Sequence, residues 1–354
     1  MTIKEGAGSG PAPSFSTQKI PMIDYISITK HLNKDSPFLG HCNQTATFSS
    51  GLQCYHIQGC ERLRLLWNPT ISLLSIAGSI MYFWQGHNFT CYKGEFVEAV
   101  DYLQELLQVG LWDSVLEAFE FGAIMEVEHK PALYIKNHHA REGVRLTENA
   151  KGQDKGSFKW WEDPAEKLKL YDARKNIIQK QGLQRRKIIE QAGWNPESQY
   201  LKFEAKFRKP ALLNSGSDLM LEELLNPNRY NELKMILQRQ YEMLEPMKTL
   251  VLPKDKKQLT SADIVLLAYV EGFINASGST PSEAQKALYK RINLIPDEIL
   301  SKADKDSRKR QIKALFAKVQ ESETSQWDLT KKLEAALASD NWQRPDNNPQ
   351  IEHI

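Results

Sequence analysis

Cysteine is scarce in this chain: four residues, at 42, 54, 60 and 91, stand among 354, and no two form a Cys-x-x-Cys pair. A disulfide framework is therefore not expected, and the usage fits a reducing compartment. Cys54, His56 and Cys60 could offer three metal ligands, but alternation in LQCYHIQG puts Cys54 and His56 on one strand face, and no fourth ligand follows at finger spacing. Long apolar runs are missing as well. The most apolar stretch, TISLLSIAGSIMYFW over 70–84, is 15 residues, about 22 Å as a helix against the roughly 30 Å of a bilayer core. It is expected to form two buried strands that turn near Gly78 and Ser79. Excess charge is absent too, since 46 Lys and Arg against 44 Asp and Glu leave a formal +2. Any polyanion-binding surface must then come from local clusters. No GxxxxGK[ST] loop and no His-x-His pair occurs, which excludes a P-loop nucleotide site.

What remains is enough apolar residue, 41% of the chain, to bury a core in two or three domains. Residues 1–21 carry Gly, Ser and Pro without an apolar segment and read as a flexible leader, neither signal peptide nor anchor. From Met22 to 212 strand-like alternation is interspersed with helical spacing, as in MIDYISITKHL, ATFSSGLQCYHIQG and RLRLLWNP, then Phe96, Val100, Leu103, Leu106 and Leu107 in a helix ending near Gly110. FEFGAIMEVEHKPALYI and GSFKWWEDPAEKLKLY read as further strands around a loop over 136–157, followed by a helix from DARKNII. This predicts an α+β domain built on an antiparallel sheet. Residues 213–340 show helical patterns alone and predict a smaller, mostly helical domain, with a polar tail over 341–354. Within it Thr260 or Ser261 can cap one helix, and Thr280-Pro281-Ser282-Glu283 offers a cap, a first-turn proline and an acidic third position.

The segment KLKLYDARKN, 167–176, carries the candidate chemistry. Leu168 and Leu170 alternate as in a strand and deliver Tyr171 to the start of a charged stretch. If that stretch is helical, Lys175 lies one turn on, on the same face as the phenol. A phenolate attacks phosphorus, and a cation beside it offsets the charge gathered on the phosphoryl oxygens. The plain alternative is a tyrosine that buries its ring and exposes its hydroxyl.

Four landmarks in order, MIDYISI, GSIMYFWQGHNF, KLKLYDARKNII and YLKFEAKFR, resemble the filamentous-phage replication initiators, the gene II and CRI-type rolling-circle family. The likeness runs clearly over about 22–210, with QGHN at 85–88 and the strand around Glu204 its most specific pieces. It implies an enzyme that nicks one strand of the phage replicative duplex, becomes joined through tyrosine to the 5′ phosphate, and leaves a 3′ hydroxyl for a host polymerase. It also implies a bacterial cytoplasmic setting and allows several copies on the origin, while the missing GxxxxGK[ST] loop leaves strand separation to a host helicase. Tyr171 matches the nucleophile. Glu204 matches the acidic residue of the family's final strand and is expected at a Mg²⁺ or Mn²⁺ site, on the polar face of a strand that turns Leu201, Phe203, Ala205 and Phe207 the other way. His87 and Asn88 match QGHN. Glu126 sits where the family shows an Arg-x-Asp-type strand, without the arginine. Glu126 and Glu128 share a face in an extended strand and are expected to converge on the metal with His87.

Basic residues crowd the stretch after the tyrosine: Arg174, Lys175, Lys180, Arg185, Arg186 and Lys187, then Lys202, Lys206, Arg208 and Lys209. They predict a phosphate-binding surface, the alternative being a solvated basic face. Trp160 and Trp161 are candidates to stack on unpaired bases or to pack in the core. A second cluster, Arg308, Lys309, Arg310 and Lys313, falls on a C-terminal helix. The function expected is a metal-dependent nicking and joining endonuclease. A DNA-binding regulator on the same scaffold, its site decayed, is the alternative, and a structural protein without nucleic-acid chemistry is a third.

Overall fold

The computed structural model describes residues 22–32, 37, 39–89, 91–138, 145–148, 158–162, 164–175, 187, 190, 194–244, 246, 250–251, 259–277, 281–318, 320–321 and 327–338. The chain is α+β and divides into two compact units: Met1–Lys136 with Ala140–Met243 and Thr330–Ile354, and Asn137–His139 with Leu244–Leu329.

The first unit is built on ten antiparallel strands, β1 Met22–His31, β2 Cys42–Thr47, β3 Gln53–Ile57, β4 Cys60–Asn68, β5 Leu73–Ser79, β6 Val115–Val127, β7 Arg145–Glu148, β8 Phe158–Glu162, β9 Glu166–Asp172 and β10 Gln199–Phe207. Their order across the sheet is β2-β3-β4-β5-β1-β6-β10-β9-β8-β7. The centre is thus β1, β6, β10 and β9, strands far apart in sequence. Register fixes what shares a face. Gly122 lies opposite Glu204, Glu120 opposite Lys206, and Lys169 and Tyr171 opposite Glu204 and Lys202.

One face of these strands is apolar. Phe119 stacks on Phe207 at 4.8 Å, Phe121 meets Tyr230 edge-on at 5.4 Å, and Phe203 meets Tyr241 at 5.5 Å. Tyr230 and Tyr241 belong to a helix over Pro227–Glu242, which begins with Asn226 capping Asn228 and a proline in its first turn. The sheet-bearing unit therefore extends to Met243, past the boundary expected at 212, because Leu221, Leu224, Tyr230, Leu233 and Leu237 close its apolar face. Thr330–Ala338, read as part of the helical domain, also belongs to this unit.

The stretch over 70–84 departs from expectation. It is one strand, β5, followed by helix α1 Ile80–Gln85. Ser79 is the reason, since its hydroxyl accepts from the Tyr82 N–H at 3.3 Å and caps the helix. Gly86, at φ 75°, ends α1 in the left-handed conformation, and the chain turns back through His87 and Asn88. Helix α2, Lys93–Leu107, stops three residues short of Gly110. PALYIK, read as strand, is helix α3 Pro131–Lys136, and β7 lies within the span read as loop. Of the helix expected after Tyr171, residues 173–175 are helical; most of the remainder to 193 lies outside the described residues.

The second unit contains helices Ser261–Ser277, Pro281–Asn293 and Lys302–Lys318, packed through Leu267, Val270, Ile274, Leu288, Ile312 and Leu315. Thr260 caps the first: its hydroxyl accepts from the Asp263 N–H at 3.2 Å, and Asp263 returns a bond to the Thr260 N–H at 2.9 Å. Among the described residues no helix is long and apolar enough to cross a membrane.

Candidate functional site

The face of the sheet opposite the phenylalanines is ionic, and its central acids are buried. Asp24 on β1, Glu120 on β6 and Glu204 on β10 bring one carboxylate oxygen each within 4.8 Å of one another. A bulge places the first of them: between Ile23 and Ile26 two residues of β1 stand against one of β6. Asp24 and Tyr25 consequently both reach the ionic side, Tyr25 beneath the Lys206 ammonium at 3.8 Å. Gly122 makes room for Glu204, because a Cβ there would lie 2.4 Å from the Glu204 Cβ and 2.7 Å from the Phe203 carbonyl oxygen.

Lysines interleave with these carboxylates. The Lys202 ammonium donates to Asp24 at 2.6 Å and to Glu204 at 2.9 Å, with 2% of its side chain exposed. Lys169 on β9 donates to Glu120 at 2.7 Å and to Glu204 at 2.9 Å. Lys206 stands 3.5 Å from Glu120. Asp24 also accepts from the Ser79 hydroxyl at 2.7 Å and from the Asn88 amide. The serine that caps α1 and the asparagine that follows Gly86 therefore both orient Asp24.

Tyr171 ends this network. Its hydroxyl donates to Glu204 Oε2 at 3.1 Å, and the residue is half-buried. Burial and the Glu204 charge push the phenol well above its ordinary pKa, while Lys202 opposes them. Burial also pushes Glu204 up, but Lys169 and Lys202 outweigh it and hold this carboxyl well below the usual range. Glu120 is raised, by burial and by the Glu204 charge, because it shares Lys169. Burial disfavours the charge on Lys202, yet Asp24 and Glu204 hold it firmly protonated. At neutral pH the centre thus joins an ionised Glu204 to protonated Lys169 and Lys202 beneath a neutral phenol.

The sequence-predicted residues divide accordingly. Tyr171 and Glu204 meet. Lys175 follows a turn in which its own N–H donates to Asp172 at 2.8 Å, and the foremost cation acting on the phenol is Lys202. Glu126 and Glu128 do not converge: Glu126 accepts from Ser198 at 2.6 Å, while Glu128, beyond the end of β6, takes Lys332 at 2.6 Å and Tyr134 at 3.1 Å. Glu126 stands four residues from Gly122 along β6, roughly 13 Å at about 3.3 Å per residue. Glu120 occupies the place expected for Glu126. His87 is buried; its Nδ1 faces the Gln85 amide at 3.3 Å, and burial lowers its pKa to about 4. It lies outside the carboxylate group, to which its neighbour Asn88 contributes instead. Cys54, His56 and Cys60 form no such group among the described residues.

Of the expected DNA contacts, Trp161 is 1% exposed and belongs to the core. Trp160 shares the ionic face through its pairing with Lys169, half-buried, stacked on Phe158 at 4.6 Å and covered by the Lys167 ammonium at 3.9 Å. Arg208 is paired with Glu162, and Lys202 and Lys206 belong to the ionic centre. Arg174 is half-buried and Lys187 exposed, while Lys180, Arg185 and Arg186 lie outside the described residues. Sequence reasoning missed Asp24, Glu120 and Lys169 as site residues. The available signal was ionisable residues at two-residue spacing on several strands: Lys167, Lys169 and Tyr171, then Lys202, Glu204 and Lys206. Comparison with protein-family models, with curated proteins and with solved structures returns no match.

Proposed function

We propose that the chain is a DNA strand-nicking and joining enzyme that initiates rolling-circle replication, with Tyr171 as the nucleophile. The observation that carries the reading is the Tyr171 hydroxyl, bonded at 3.1 Å to a carboxylate that lies among three converging acids. A tyrosine serving only as packing has no need of that setting, which is unfavourable unless every member is paired.

In the reaction the phenolic oxygen bonds to phosphorus and the P–O3′ bond breaks. The 5′ phosphate stays on the tyrosine, the phenol loses its proton, and the departing 3′ oxygen gains one. The reverse attack by a 3′ hydroxyl rejoins the strand. Glu204 holds the phenol in place through Oε2; kept ionised by two lysines, it is a weak base, so its part is orientation. Lys202 is the resident cation that favours phenolate over phenol. Hard oxygen donors suit Mg²⁺ or Mn²⁺, and Asp24, Glu120 and Glu204 are the residues that would hold it. When bound, the metal supplies charge against the phosphoryl oxygens. Trp160 and Phe158, on the same face as Tyr171, offer ring surface to an unpaired base, and Arg174 and Lys187 offer charge to the backbone.

A second reading, origin binding without cleavage, draws on the pairing of these carboxylates with lysines. Supercoiled plasmid carrying a filamentous-phage origin, incubated with Mg²⁺ or Mn²⁺, separates the two. Nicked circles and a covalent adduct with the wild type, and neither with Tyr171→Phe, support the enzyme. Origin binding by both without nicking supports the second reading, and equal nicking by both removes Tyr171 from the chemistry.

A further inference from the structure

We propose that Lys169 is an internal counter-ion that a divalent metal displaces from the carboxylate centre, whereas Lys202 stays in place. The inference rests on the metal-site reading of Asp24, Glu120 and Glu204 given above. The two lysines look alike in sequence, each two residues from a site residue on its own strand. Their settings differ. Lys202 spans Asp24 and Glu204 with 2% of its side chain exposed, in the middle of β10 between β6 and β9. Withdrawing it would drag a charge through the core. Lys169 spans Glu120 and Glu204 with 23% of its side chain exposed, so it stands nearer to water than Lys202.

The carboxylates are met by three ammonium groups, Lys169, Lys202 and Lys206, the last at 3.5 Å from Glu120; a divalent cation in place of Lys169 brings two charges where the ammonium brought one. The two oxygens that hold Lys169, on Glu120 and Glu204, come from different strands and are the donors a bridging metal requires. Lys169 thus keeps the metal-free centre folded and sets a threshold for metal entry. Removing its charge should weaken the metal-free protein and strengthen metal binding together, a pairing that a merely structural lysine would not produce.

The test is Mn²⁺ binding followed by calorimetry and by the thermal shift on adding Mn²⁺, for wild type, Lys169→Met and Lys202→Met. Lys169→Met should melt below the wild type without metal, bind Mn²⁺ about tenfold more tightly, as expected for losing one charge-assisted competitor, and show a larger thermal shift. Lys202→Met should gain no affinity. Should either variant fail to fold, trace acetylation of the wild type read by mass spectrometry decides: Mn²⁺ should raise the reactivity of Lys169 severalfold and leave Lys202 protected. Equal or weaker Mn²⁺ binding by Lys169→Met, Mn²⁺ binding by neither protein, or an unchanged Lys169 reactivity overturns the proposal. Absence of a Tyr171-dependent DNA adduct with these isotherms intact would defeat the nickase reading and leave the exchange standing.

Discussion

Replacing Lys202 by methionine keeps the length of the side chain and deletes its charge, leaving Asp24 and Glu204 without the ammonium that joins them at 2.6 and 2.9 Å. Both carboxylates are buried, so water cannot take its place. Breaking a buried ion pair from one side costs about 3–5 kcal/mol, a large share of the roughly 5–15 kcal/mol that holds a typical domain. The pH dependence is the stricter test. In the wild type, the depressed Glu204 pKa contributes stability that is present above the unfolded value, about 4.3, and lost as pH falls through the folded value. The raised Lys202 pKa contributes stability that is present below about 10.4 and lost as pH rises through its folded value. Without Lys202 the carboxylates protonate more readily. The deficit of Lys202→Met, measured by urea unfolding with tryptophan fluorescence, should therefore be largest near pH 7 and shrink as pH falls toward 4. A deficit below about 1 kcal/mol that is also flat with pH would refute the reasoning, since it would equal an ordinary surface substitution.

Further expectations concern neighbouring features. Gly122→Ala should cost about 1–3 kcal/mol, the range for overpacking, because its Cβ falls 2.4 Å from that of Glu204; stability equal to wild type would mean that β6 and β10 can part there. Trp161→Ala should cost about 3–5 kcal/mol, whereas Trp160→Ala should spare most stability and instead weaken binding of single-stranded DNA near the nick, measured by fluorescence anisotropy. His87, lowered to about 4, should titrate there in an NMR series; its neutral form contributes stability present above about 6.5 and lost as pH falls toward 4, a slope that His87→Gln should flatten.

The α+β character was legible because strand alternation and helical spacing are local signals. Tyr171 and Glu204 were legible as candidates through the motifs around them, and Glu204 stood on the face opposite its apolar neighbours as alternation requires. Alternation also suggested that this face meets water. Glu204 and Lys202 do not meet it, because ion pairs with side chains of the adjacent strands enclose them, while Lys169 and Lys206 stay partly exposed. Glu126 stands out in the sequence through its place in the family resemblance and the face it shares with Glu128, but register between β6 and β10 brings Glu120 to the centre instead. Asp24 lay inside a quoted landmark yet gave no sign of its role, since a β-bulge turns it toward the centre and a bulge leaves no periodic trace.

The sequence by itself determined most of the strands, the helices of the second unit, the cap at Thr260, and which residues of each regular strand share a face, because each depends on neighbours within a few positions. Only the tertiary structure decided which faces meet. It joined Asp24, Glu120, Lys169, Tyr171, Lys202 and Glu204, from four strands spread over 181 positions, into one buried ionic centre. Charges so distant in sequence can pair only after strand order and register are set, and low surroundings polarity then makes their pairing obligatory.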